Sequence, residues 1–211
     1  PKRRCRLPIM RLFQQSSYGL SWSSELVVHS NIQYITGTIW YLMAPMNNTP
    51  EYRIPAGAQI GHVHLKVSDL ERSLEFYCGL LGFELTTRYG SEAAFIAAGG
   101  YHHHIGLNSW YSKGSGPGPK NVPGLFHTAI CYPSRRELAL IFKRITEARY
   151  PLTGAADHGV SEALYLDDPD GNGVELYWDR PQGEWPRNAD GSLHMYTRTL
   201  DRESLINLAD Q

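Results

Sequence analysis

The chain has 211 residues, 42% hydrophobic and 19% charged, with a formal charge of −1. That composition suits a globular domain with appendages; it excludes a disordered chain and gives no electrostatic basis for binding nucleic acid or an anionic membrane. Three scattered cysteines (Cys5, Cys78, Cys131) form neither a disulfide framework nor a zinc knuckle and point to a reducing, cytoplasmic setting. No apolar run approaches the roughly 20 residues of a membrane span.

Residues 1–56 mix basic, Ser-rich and aromatic residues without sustained periodicity. They are expected to form an N-terminal extension, poorly structured or foreign to the natural protein, with Met46 as a natural start. The basic "KRRCR" lacks the apolar stretch of a signal peptide after it.

The next segment repeats. "HVHLKVSDLERSLEFY" starts at His62 and "HTAICYPSRRELALIF" at His127, 65 residues later. Both read as strand, polar turn and amphipathic helix. Each helix opens on an S-x-x-E capping box, Ser68 with Glu71 and Ser134 with Glu137. Leu70, Leu74, Tyr77 and Leu81 make one apolar stripe; Leu138, Ile141, Phe142 and Ile145 make the other. Strand-like runs follow in both copies: "FELTTRY", "AAFIAAG" and "HHHIGLNSW", then "LTGAAD", "SEALYLDD" and "GVELYWD". The pattern predicts an α+β fold of two tandem βαβββ modules, about 58–112 and 124–180. "KGSGPGPKNVPG" links them, and a tail covers 181–211, with a short helical pattern near "DRESLINLAD".

Duplicated modules often build a site where the copies face each other. Each copy opens on a histidine, and Glu175 sits between Val174 and Leu176 on a strand too apolar for a casual charge. His62, His127 and Glu175 are the inventory of a two-His, one-carboxylate metal site. Core histidines bonded to carbonyls are the alternative. His64 shares the strand face of His62, and Tyr177 that of Glu175. The strand "YHHHIGL" alternates faces, so His103 shares the inward face with Ile105 and Leu107, while His102 and His104 lie nearer solvent.

"GHVHLKVSDLERSLEFYCGLLGFEL" resembles the opening module of the vicinal oxygen chelate superfamily, H-x-x-L-x-V-x-D-x-x-x-S-x-x-F-Y-x-x-x-L-G, and "YLDDPDGNGVELYW" its closing D-P-D-G-N-x-x-E strand. The resemblance covers roughly residues 58–180 and implies a cupped mixed sheet around a divalent metal, with His62, His127 and Glu175 as ligands and His64 and Tyr177 in the pocket. "HHHIGL" resembles the strand that carries a catalytic acid–base histidine in catechol 2,3-dioxygenase-like extradiol dioxygenases, which maps to His103. Tyr165, ten residues before Glu175, matches their substrate-binding tyrosine. "DHGVSEALY" resembles the segment of their other pocket histidine, although His158 falls two places from the expected offset.

The implied function is cleavage of a small aromatic diol by O2 at Fe(II), with Mn(II) as the alternative ion and homo-oligomerisation left open. The rivals are a glyoxalase-like lyase or isomerase, a fosfomycin-type thiol transferase, and a drug-binding resistance protein without catalysis. Glyoxalases add a glutamate on the last strand of the first module. Here that strand has no acid, with Ile105 near the expected spot.

Overall fold

The computed structural model describes residues 52–210. Most of the expected N-terminal extension, through residue 51, lies outside the described residues. Among those described, no helix is long and apolar enough to cross a membrane.

The α+β reading and the βαβββ order of both modules stand. The first module runs β1 (Val63–Lys66), α1 (Leu70–Leu74), β2 (Glu84–Tyr89), β3 (Ala93–Ala97) and β4 (Ile105–Asn108). The second runs β5 (His127–Cys131), α2 (Arg135–Glu147), β6 (Gly154–Asp157), β7 (Ser161–Asp167) and β8 (Gly173–Asp179). The strands make two mixed sheets, ordered β1-β4-β3-β2 and β5-β8-β7-β6-β9. The ninth strand, β9 (Arg198–Thr199), comes from the C-terminal segment and extends the second sheet through β6. After it, α3 (Arg202–Ile206) buries Leu205 in the core. In both modules the histidine-bearing first strand runs parallel to the last strand, and the other pairings are antiparallel.

Two local readings need correction. The first helix is not capped by Ser68: Asp69 is the N-cap, accepting from the Arg72 amide at 3.1 Å. Ser68 is instead claimed from 102 residues away, donating its amide (3.0 Å) and its hydroxyl (2.5 Å) to Asp170. Glu71, freed from capping, pairs with Arg88 across to β2. The helix also widens into a π-helical stretch, Glu75–Leu80, which lets Phe76 and Tyr77 both face inward. All four predicted stripe residues of that helix are buried regardless. The second capping box holds, with Ser134 accepting from the Glu137 amide.

One hydrophobic cluster serves both modules. Leu65, Ile105 and Leu107 enter it from the first sheet, Leu164, Val174 and Leu176 from the second, and the helical stripes lie between. Polar contacts seal this joint. Tyr77 donates to Asp168 (3.1 Å), Arg72 pairs with Asp170 (2.5 Å), and the Arg144 guanidinium donates to the carbonyls of Gly79 and Leu80. Asp170 is the hub, because removing its carboxylate would strand buried donors of Ser68 and the Arg72 charge together. Asp170→Ala is expected to cost about 3 kcal/mol, read as a lower denaturation midpoint. Lys120→Ala, at an exposed pair with Asp167, should change stability little.

The packing fixes where chemistry can occur. Side chains alternate along a strand, so residues between the core positions point to the opposite faces of the sheets. On the first sheet these are His64 and Gly106; on the second, Glu175, Tyr177 and Tyr165.

Candidate active site

On the second sheet, antiparallel register sets Tyr165 of β7 directly opposite Glu175 of β8. The Tyr165 hydroxyl lies 3.0 Å from Glu175 Oε1, and the other carboxylate oxygen, Oε2, is 2.9 Å from His127 Nε2. His158, in the turn after β6, places Nε2 2.7 Å from the same Tyr165 hydroxyl. Four residues identified from sequence thus form one continuous chain, His158–Tyr165–Glu175–His127. The offset that made His158 doubtful does not keep it out.

Burial and the Glu175 charge hold the Tyr165 phenol above its ordinary value, so it remains a hydrogen-bond donor. Tyr177 lies two residues beyond Glu175 on the same face. Burial, with the neighbouring Cys131, pushes its phenol up to about 12.

The pair of His127 and Glu175 suits a metal ion. Two donors about 2.1 Å from one ion and at right angles stand about 3 Å apart, the spacing seen between Nε2 and Oε2. The other ring nitrogen of His127, Nδ1, is buried and claimed by no hydrogen bond. A cavity of about 560 Å³ opens against His127 and Tyr165, within the range of small-molecule sites. Its far wall is the inter-module linker, with Val122, Leu125 and Phe126, tied across by Lys120 to Asp167 at 2.8 Å.

The first sheet carries the other histidines. His62 stacks on His103 with ring centroids 4.5 Å apart, and His103 also meets Phe95 at 5.0 Å. His64 faces Phe95 and Trp110. His103 is half-buried while His102 and His104 are exposed, the predicted order, but the reason differs. Strand β4 begins only at Ile105, so residues 102–104 are irregular and their faces do not alternate. Ile105 and Leu107 point into the core, and His103 turns to the opposite face, beside His62. Partial burial and the imidazoles of His62, His102, His64 and His104 push the His103 pKa below its ordinary value.

The same register relocates the missing glyoxalase acid. Val63 pairs with Ile105 and His127 with Gly173, so the first-module counterpart of Glu175 is Gly106, not Ile105. Gly106 lies under the His64 ring, and a Cβ there would stand 2.9 Å from it. No side chain fits at that point without moving His64, and the first sheet has no acid at this position.

The expected three-residue ligand set is not gathered within one chain. His62 stays with His103 on the first sheet, and among the described residues no three His, Cys, Asp or Glu side chains are close enough to share an ion. Each of these residues stands out in the sequence by itself. Their convergence depends on how the sheets face each other, which strand patterns do not encode.

Two tandem βαβββ modules, each with its first strand parallel to its last, define the architectural class. The chain belongs to the Glyoxalase/Bleomycin resistance protein/Dioxygenase superfamily, whose family model matches residues 59–176. It is 41% identical over 150 residues to the catechol-2,3-dioxygenase of Bacillus subtilis (strain 168), a match covering 71% of this chain and 52% of that protein. It is 29% identical over 125 residues to biphenyl-2,3-diol 1,2-dioxygenase 3 of Rhodococcus globerulus, covering 57% of this chain and 63% of that one. The chain thus spans about half the length of the first relative and under two-thirds of the second. Among solved structures, a glyoxalase/dioxygenase from Nostoc punctiforme superposes with a TM-score of 0.53 at 17% identity, over 64% of this chain and all of that one, a likeness of fold.

Proposed function

We propose that the chain is an extradiol dioxygenase that opens a catechol-type ring with O2 at a divalent metal. The reading is carried by the His158–Tyr165–Glu175–His127 chain beside the cavity, and it is supported by similarity to proteins named for the cleavage of catechol and biphenyl diols. His62, His127 and Glu175 are the proposed ligands of Fe(II), with Mn(II) as the alternative. The ion would supply Lewis acidity toward the vicinal diol oxygens and a redox centre for O2.

The remaining roles belong to the protein. Tyr165, held protonated, turns its single hydrogen bond from Glu175 to a substrate oxygen. His103, its imidazolium disfavoured, accepts the proton released by the diol and returns it later. His64 and Tyr177 flank the ring on their respective sheet faces, and the linker beside Phe126 closes the apolar side of the cavity.

This ligand set requires two copies of the chain. His62 and His103 of one copy would lie against His127, Glu175 and Tyr165 of a second, and a two-fold axis would build the site twice. The two faces are complementary, because one carries imidazoles without an acid and the other an imidazole with a carboxylate. Large aromatics lie open beside both: Phe126 is 89% exposed next to His127, and Trp110 is 47% exposed beside His64. Association would bury both rings.

The test is anaerobic loading with iron or manganese, followed by a catechol screen for a yellow ring-opened product. His127→Ala, Glu175→Ala and His62→Ala should each lose stoichiometric metal. If all three kept it, the assignment would be wrong.

A further inference from the structure

We infer that the C-terminal segment around Tyr196 is a positioning strap that fixes which nitrogen of His158 carries the proton, and so which way that ring addresses Tyr165. The inference deepens the proposed site and rests on that reading for its catalytic consequence, though not for its geometry. The segment lies beyond the part of the chain that matches the family model.

His158 Nδ1 is 3.0 Å from the backbone carbonyl oxygen of Tyr196. A carbonyl only accepts, so a neutral His158 must carry its proton on Nδ1 to avoid opposing two lone pairs. The Thr197 hydroxyl, 3.2 Å from the same nitrogen, can donate or accept and does not decide the matter. With Nδ1 protonated, Nε2 presents its lone pair to the Tyr165 hydroxyl 2.7 Å away and draws the single phenol proton from Glu175 Oε1 toward His158. The ring thus becomes an acceptor aimed at the tyrosine, the arrangement by which outer residues orient functional histidines.

The strap is built to keep that carbonyl in place. The Tyr196 amide donates back to the His158 carbonyl at 3.2 Å, and Arg198 pairs with Asp157 where β9 joins β6. The Tyr196 ring lies over Gly159, where a Cβ would meet its Cε1 at 2.7 Å and Pro186 Cγ at 2.9 Å. Gly159 also has φ +79°, a conformation that side chains resist. The Arg198 guanidinium covers the ring at 4.1 Å from its centroid.

The experiment compares wild type, Tyr196→Phe and Tyr196→Ala in the full chain. Long-range 15N–1H spectra of the His158 ring report the tautomer directly. Wild type and Tyr196→Phe, which keeps the ring packing and the carbonyl, should show the proton on Nδ1. Tyr196→Ala frees the carbonyl and should show a mixture of tautomers, with kcat for catechol cleavage falling about 10-fold or more and KM little changed. Gly159→Ala pushes the ring away by a different route and should give the same mixture. A wild-type proton on Nε2, or a tautomer unmoved by both Tyr196→Ala and Gly159→Ala, would overturn the strap. The spectra do not depend on turnover, so absence of ring cleavage would count against the dioxygenase reading while the tautomer result stood by itself.

Discussion

Chains carrying His62→Ala and chains carrying Glu175→Ala, each unable to hold metal alone, should regain about half of the wild-type metal content as a purified hybrid dimer. In that hybrid one site combines both substitutions. The other combines the intact His62 of one chain with the intact His127 and Glu175 of its partner. The hybrid is obtained by co-expressing the two chains with different affinity tags and purifying on both in turn. If the ligands came from one chain, every site would lack a donor and the hybrid would stay empty. Sedimentation of the wild type gives a second reading: a monomer that holds a full metal complement would remove the two-copy arrangement and leave the ligand set intact. His62 is the residue to vary because it is exposed and precedes β1, so its loss should not unfold the chain. A hybrid that recovered metal without ring cleavage would favour a lyase or thiol transferase on the same centre.

The proposed second copy lies beyond what a sequence discloses. The order of elements was readable because strand alternation, helical stripes and the "DPDGNG" turn are local patterns, and it reappears as β1–β8 with α1 and α2. Tyr165 stood out only by its ten-residue spacing from Glu175, and the turn between the antiparallel strands is what sets the two directly opposite. Longer reach defeated the same reasoning. Ser68 has the spacing of a helix cap, yet Asp170 claims it, and nothing near residue 68 announces a partner 102 residues away. The π-helical stretch at 75–80 departs from 3.6-residue periodicity, but the apolar stripe hides it because the stripe residues are buried either way. The strap over His158 was unreadable for a similar reason. Its decisive atom is a backbone carbonyl, which every residue has.

His103→Gln should retain metal and catechol binding while losing turnover by roughly 10²–10⁴-fold, the range for removing a general acid–base group. His102→Gln and His104→Gln should change the rate far less. The contrast rests on placement. His103 is half-buried between His62 and Phe95, whereas His102 and His104 are exposed and stack on Tyr101. Contact with His102 does not make the two equivalent: their Nδ1 atoms lie 2.7 Å apart, so His102 can share a proton with His103 but reaches His62 only through it. The choice of glutamine matters, because it keeps a polar side chain of similar reach and removes only the capacity to take up and release a proton near neutral pH. Ring-cleavage rates under air, normalised to the iron content of each variant, make the comparison. Equal rates for wild type and His103→Gln would remove the acid–base role. The proton would then have to pass through Tyr165 and His158 on the opposite sheet, and the Tyr196 variants should become the more damaging set.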